Sequence, residues 1–290
     1  MEIRHAELGE LQALMRNELE KIYPVREAAS IINTLFSSYL GMSRAELVIN
    51  KTHKLSESQI FYFQRALKRL MAHEPLQYVC GKAFFLGREF RLGRAVLIPR
   101  PETEELVQWI IGDLSQTKKN MSILDIGTGS GCIAVSLERK LAGSEVFAID
   151  NSEQALHIAG SNAELNGSNV QFSLVDILMP AARRSLPVFD VIVSNPPYVT
   201  PGDRKKMKPN VTAFEPHEAL FVSDQDPLLF YREILEFSTD HLARGGKIYF
   251  ECNEKYTREV ASMMRKNGFT AVEIKTDMQQ KERMVKGNRL

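Results

Sequence analysis

The chain has 290 residues, 44% hydrophobic and 25% charged, a length and balance ordinary for a globular protein with a sizeable core in one large or two unequal domains. A formal net charge of +1 excludes a strong overall field for duplex nucleic acid or an anionic membrane and leaves only local basic patches to consider. Three cysteines, Cys80, Cys132 and Cys252, are too scattered and too few for a disulfide framework or a zinc site, and read as buried thiols in a reducing compartment.

The first segment, MEIRHAELGELQALMRNELEKIY, is amphipathic and mixed in charge. It lacks an apolar h-region, so it does not read as a secretory signal, and it is too rich in glutamate for a transit peptide. No apolar run reaches the length of a membrane span, and the expectation is a cytoplasmic protein with no membrane partner. Leu8, Leu11, Met15, Leu19 and Ile22 recur at helical spacing. Further helices are predicted over 26–40, 44–50 (opened by Ser43) and 56–72 (opened by Ser56 or Glu57). Residues 1–75 therefore read as a small helical domain. It holds no polar constellation, so it is expected to pack or to recognise a partner rather than to do chemistry.

Next, Gly81, Gly87 and Gly93 punctuate short aromatic and β-branched runs, which predicts a β-hairpin linker over 76–98. PRPETEELVQWI then opens a helix and the large domain, 99–290. Pro101 suits an early helical position, and Glu102, Glu104 and Glu105 suit the positive end of the dipole. Trp109 falls on an apolar helix face and is expected in the core.

From about residue 120 the pattern alternates. Strands are predicted over 122–126, 145–150, 170–174, 189–194 and 246–252, and helices over 130–141, 152–165 and 227–242. That alternation means an α/β fold with a mostly parallel sheet covered on both faces. The tail, FTAVEIKTDMQQKERMVKGN, reads as two more strands that make one edge antiparallel.

ILDIGTGSGCIAVSL is a strand, a glycine-rich turn and a helix. Gly127, Gly129 and Gly131 allow tight turning and close backbone approach to a ligand. Asp150 ends the following strand, where a carboxylate can accept from a ribose diol. A dinucleotide fingerprint would place its third glycine at Cys132, so that match fails. The spacing D-x-G-x-G-x-G, from Asp125 through Gly127, Thr128, Gly129, Ser130 and Gly131, instead resembles the first motif of Rossmann-like S-adenosylmethionine-dependent methyltransferases. Asp125 would then reach the cofactor's ammonium directly or through water, and Asp176, ending another strand, would accept from the adenine amino group.

VIVSNPPYVT places Asn195, Pro196, Pro197 and Tyr198 after the fourth strand, at the same end of the sheet. Residues before proline are pushed to extended conformations, and neither proline has an N–H to satisfy. The result is a stiff set of acceptors, with one amide side chain and one aromatic face. It suits a planar group bearing –NH2. The Asn195 side-chain oxygen and the Pro196 carbonyl would hold its two protons, and Tyr198 would stack on it or wall it. A conjugated nitrogen is a poor nucleophile, so positioning would supply much of the acceleration, and well-oriented pairs reach effective molarities of about 10⁵–10⁸ M. The residues alone leave open an exocyclic amine of DNA or RNA, a glutamine side-chain amide, or a non-catalytic cofactor-binding module.

Further stretches narrow this. EPLQYVCGKAFFLGREFRLGRAVLIPRPETEELV resembles the linker and first helix of the peptide chain release factor N5-glutamine methyltransferases (the HemK/PrmC family), and FEPHEAL, 214–220, resembles that family's segment after Asn-Pro-Pro-Tyr. The resemblance runs from about residue 8 to the end. It implies a class I methyltransferase domain with a seven-stranded sheet behind a helical recognition domain. It implies S-adenosylmethionine as cofactor, S-adenosylhomocysteine as product, and as substrate the glutamine of the GGQ loop in class 1 release factors. A monomer is expected, and with no added target-recognition domain and no strongly basic balance, no stable nucleic acid complex is expected. In four places the chain departs from the family pattern: Ile177 where an aromatic is common, Asn253 and Tyr256 in place of Gly and Gln, and Gln280 in place of a glycine. His217 reads as loop surface, because the chemistry requires no base. The basic run GDRKKMKP, 202–209, reads either as a solvated loop or as a contact for acidic or RNA partners.

Overall fold

The computed structural model describes residues 6–115, 120–203 and 209–290. The chain divides into two compact units, Met1–Gly81 with Pro209–Phe214, and Lys82–Lys208 with Glu215–Leu290.

The helical unit contains α1 (Leu8–Leu19), α2 (Val25–Leu40), α3 (Arg44–Ile49), α4 (Glu57–Met71) and α5 (Leu76–Cys80). The predicted stripe Leu8, Leu11, Met15 and Leu19 is buried, and packs in one core with Leu35 and Phe36 of α2 and Ile60 and Phe63 of α4. Ser43 and Ser56 open α3 and α4 with reciprocal capping to Glu46 and Gln59, which satisfies otherwise orphaned N–H groups. Leu76–Cys80 is helical where the sequence reading begins a hairpin linker. Val79 joins the helical core, and Arg69 donates to the α5 carbonyls of Tyr78 and Val79 while pairing with buried Glu74.

In the second unit β1 (Lys82–Phe85) and β2 (Arg88–Arg91) form the expected hairpin. Then follow α6 (Pro101–Leu114), β3 (Ser122–Ile126), α7 (Cys132–Lys140), β4 (Glu145–Asp150), α8 (Glu153–Leu165), β5 (Gln171–Leu174), α9 (Pro180–Arg183) and β6 (Phe189–Ser194). The chain continues through α10 (Pro209–Phe214), which belongs to the helical unit, and then, in the second unit, through α11 (His217–Leu220), α12 (Leu229–His241), β7 (Leu242–Glu251), α13 (Thr257–Lys266), β8 (Phe269–Thr276) and β9 (Glu282–Arg289). The seven-stranded order is β5-β4-β3-β6-β7-β9-β8, parallel as far as β7, with β9 antiparallel to both neighbours. Leu124 and Ile192 point into one core and Ile123 and Val191 into the other, so the central strands are buried on both faces. Helix α13 was not among the predicted elements, although Val260, Ala261 and Met264 recur at helical spacing and are buried beside Phe269 and Val285. Trp109 packs at the margin of the core, half-buried, edge-on to Tyr249.

The chain leaves β3 for β4 and β5 on one side, then crosses to β6 on the other. That reversal opens a crevice at the carboxyl ends of β3 and β6, where α/β sheets bind ligands. Among the described residues, no helix is long and apolar enough to cross a membrane.

Candidate active site

The crevice holds a cavity built entirely from the sheet unit. Gly127, Thr128, Gly129 and Ser130 line it after β3, Asp150 after β4, Asp176 after β5, and Asn195, Pro196 and Pro197 after β6. The predicted residues therefore converge, with three exceptions.

Gly131 stands behind the loop as the N-terminal cap of α7, with φ of 79°, and a Cβ there would lie 3.1 Å from that of Ala159. Its role is close packing of α7 on α8. Asp125, expected to reach a cofactor, is fully buried and does not line the cavity. Its Oδ2 accepts from the Thr128 hydroxyl at 2.7 Å, while Oδ1 is buried with no partner. That uncompensated burial pushes the carboxyl up to about 7. Tyr198, expected to wall the substrate, does not line the cavity; its hydroxyl donates to Glu251 Oε1 at 3.0 Å. Burial and the Glu251 charge hold that phenol well above its usual range.

The glycine loop is fastened by backbone. The N–H groups of Gly127 and Thr128 both donate to the Ile149 carbonyl, at 2.9 and 3.0 Å. Gly127 and Gly129 have φ of 75° and 53°, and a Cβ on either would enter open space. Asp150 Oδ2 accepts from Gly129 N–H at 2.8 Å and Oδ1 from Ser152 N–H at 3.0 Å. Its carboxylate, raised by burial, keeps lone pairs for a diol. Asn162, buried on α8, donates to the carbonyls of Ser130 and Arg91 and accepts from Arg91 N–H, tying the β2 strand to the loop.

The loop with Asp150 fits a ribose, and Asp176, whose Oδ1 accepts from Leu178 N–H, stands at the next strand end. Ile177 lines the cavity with Val175 and Phe230 of α12, so an aromatic face is present although the expected position carries isoleucine. The donor set and walls thus suit an adenosyl group.

The Asn-Pro-Pro-Tyr segment is fastened by distant side chains. Asn195 Nδ2 donates to Thr103 Oγ1 at 3.1 Å, and Thr103 Oγ1 donates to Glu251 Oε2 at 2.6 Å. Thr103 belongs to α6 and Glu251 ends β7; both are buried. Burial raises the Glu251 carboxyl, and the hydrogen bonds from Thr103 and Tyr198 act against that. Arg100, at the head of α6, gives Nη2 to both oxygens of buried Glu215, at 2.6 and 2.7 Å, anchoring the FEPHEAL stretch. Val199 bonds through its backbone to Leu220 and Val222, so that stretch backs the clamp.

Sequence reasoning missed Thr103, Glu251, Arg100 and Glu215 as site residues. Glu104, read as complementing the dipole of α6, also accepts from Leu86 N–H at the β1–β2 turn. His217 is exposed, opens α11 and packs edge-on to Phe221. The Asn253 backbone carbonyl accepts from Tyr256 N–H and the Thr257 hydroxyl just before α13. Gln280 occupies the left-handed region with φ of 62°, the conformation for which a glycine is suited. Residues 204–208 of the basic run lie outside the described residues.

Residues 10–81 match the family model of the PrmC N-terminal domain, and 107–213 that of the methyltransferase small domain. The release factor glutamine methyltransferase of Flavobacterium psychrophilum is 41% identical over 272 residues, covering 93% of this chain and 95% of its own. That of Bacteroides thetaiotaomicron is 39% identical, covering 97% of this chain and 100% of its own. A methyltransferase from Pyrococcus furiosus, known from its crystal structure, shares the fold with a TM-score of 0.51 at 22% identity, over 70% of this chain and 90% of its own. With the glycine loop, Asp150 and Asn195 to Pro197 lining one cavity, and relatives matched nearly end to end, this chain belongs to the release factor glutamine methyltransferase family.

Proposed function

We propose that the protein transfers a methyl group from S-adenosylmethionine to the side-chain amide nitrogen of the glutamine in the GGQ motif of class 1 peptide chain release factors, giving N5-methylglutamine and S-adenosylhomocysteine. The observation that carries this is the shared cavity: Asp150 and the glycine loop at one strand end, Asn195 and Pro196 at the neighbouring one.

When bound, S-adenosylmethionine supplies an electrophilic methyl carbon on a sulfonium. Gly127, Gly129, Asp150 and Asp176 would hold its adenosyl part. Asn195 Oδ1 and the Pro196 carbonyl would accept the two N–H groups of the glutamine amide and aim its nitrogen. The nitrogen–carbon bond forms as the carbon–sulfur bond breaks, and the nitrogen, now strongly acidic, gives its proton to water. No side chain need act as base, and exposed His217 lies outside the cavity lining. Recognition of the release factor falls to the helical unit, whose residues 10–81 carry the family's N-terminal domain.

The test is transfer of radiolabelled methyl to purified class 1 release factor, beside its GGQ Gln→Ala variant and unmethylated DNA. Label on the factor that vanishes in the variant is expected. Label on DNA alone would move the function to nucleic acid amines. Silence on both, with cofactor binding intact, would leave a non-catalytic module.

A further inference from the structure

We propose that Thr103 and Glu251 are a positioning pair that fixes which end of the Asn195 amide faces the substrate. Protons can be counted along one chain of hydrogen bonds, in which Thr103 and Glu251 are buried and Asn195 and Tyr198 partly so. An ionised carboxylate only accepts. Glu251 takes one O–H from Tyr198 on Oε1 at 3.0 Å and one from Thr103 on Oε2 at 2.6 Å. The single hydroxyl proton of Thr103 is thereby committed, and only its lone pairs are left toward Asn195. Of the two ends of the Asn195 side chain, only –NH2 can engage them, as it does at 3.1 Å. Oδ1 is therefore the end left for the cavity that Asn195 and Thr103 both line.

Direction matters because the two ends of an amide are nearly equal in size, so shape alone does not select one. A flipped Asn195 would offer a donor to a substrate –NH2, placing donor against donor. The pair removes that state before the substrate arrives. Thr103 and Glu251 are 3% and 1% exposed, so water does not compete for these groups. Tyr231, whose hydroxyl donates to the Glu251 carbonyl at 3.1 Å, fixes the carboxylate's backbone in turn.

Resting on the glutamine-amide reading of the site, the proposal is tested by kinetics and by an observation that needs no methyl acceptor. Thr103→Val keeps shape and removes the hydroxyl. It is expected to lower kcat about 10–100-fold, as loss of an outer positioning partner does at metal sites. The KM for release factor and the cofactor Kd should stay within about threefold. Thr103→Ser should restore kcat. Glu251→Gln, whose –NH2 can donate to Thr103 and release the hydroxyl proton toward Asn195, should lower kcat in the same way; it also serves if Thr103→Val does not fold. The second readout is proton exchange of the Asn195 side-chain amide by ¹⁵N–¹H spectroscopy, expected to be slow in the wild type and faster in Thr103→Val. Unchanged kcat in Thr103→Val, or a Thr103→Ser variant as impaired as Thr103→Val, would overturn the proposal. Should the wild type not methylate release factor at all, the functional reading fails, and equal Asn195 exchange in both proteins would then overturn the positioning pair separately.

Discussion

Two regions meet at the cavity, and they are held in opposite ways. The glycine loop is fixed locally: its N–H groups bond to Ile149 and Asp150 on the adjacent strand, and its glycines adopt positive φ. The Asn-Pro-Pro-Tyr clamp is fixed remotely, by Thr103 from α6 and Glu251 from β7, residues 148 positions apart. A loop that shapes itself can hold a cofactor common to many enzymes. A clamp braced by the rest of the domain can impose one hydrogen-bond direction on one acceptor group.

If the regions divide the work in this way, the largest effect belongs to the clamp. Asn195→Ala is expected to lower methyl transfer by about 10³-fold, the upper range for losing one preorganised polar partner. Calorimetry should find cofactor binding largely intact; loss of both together would erase the division.

Asp125, buried beneath the loop, offers a second handle. Its carboxyl, raised from 3.8 to about 7, binds its proton more tightly in the folded than in the unfolded chain. The stability it contributes is complete below the unfolded value and is lost as pH rises through the folded one. At about 1.4 kcal/mol per pH unit, this window amounts to no more than about 4 kcal/mol. Asp125→Asn cannot ionise, so its stability relative to wild type should grow between pH 4 and 8, measured by denaturant titration at each pH (roughly the span of the two values). A constant difference would show that burial does not raise the Asp125 carboxyl, which would then be ionised alike in the folded and unfolded chains across that window.

Asp150→Ala removes an acceptor from the loop and, on this reading, from the ribose. Cofactor affinity should fall by about 1.5–3 kcal/mol, the range for hydrogen bonds to charged groups. At saturating cofactor, kcat should change far less, the reverse of Asn195→Ala. The smallest effect is expected for Gly131→Ala. A side chain at φ of 79°, 3.1 Å from the Ala159 Cβ, should lower stability by about 1–2 kcal/mol, read from the melting curve.

The same contrast explains what was legible in the sequence. Asp125 to Gly131 and Asp150 stood out because a strand end, a glycine turn and a following acid are short-range features. Asn195 to Pro197 stood out as a stiff tripeptide segment at a strand end. Thr103 did not, because in PETE it reads only as part of a helix start, and its partner is on a strand no local pattern connects to it. Glu251 read as the end of a strand, since nothing in FEC reveals that its carboxylate receives two hydroxyls. Tyr198 reads as a substrate wall because an aromatic beside a clamp suggests stacking, and no local pattern shows that its hydroxyl reaches Glu251. Asp125 reads as a cofactor residue from its position in the motif, and its complete burial emerges only from the fold. Helix α13 escaped because its segment is strongly charged, although its apolar residues fall on one face.

In the proposed function, Asn195 presents a glutamine amide nitrogen for methylation. Its most direct test is tandem mass spectrometry of class 1 release factor incubated with S-adenosylmethionine and either wild-type enzyme or Asn195→Ala. The expected result is one methyl group on the side-chain amide nitrogen of the GGQ glutamine with the wild type, and none with a variant that still binds cofactor. A methyl group on any other atom of the factor, or undiminished methylation by the variant, would contradict it.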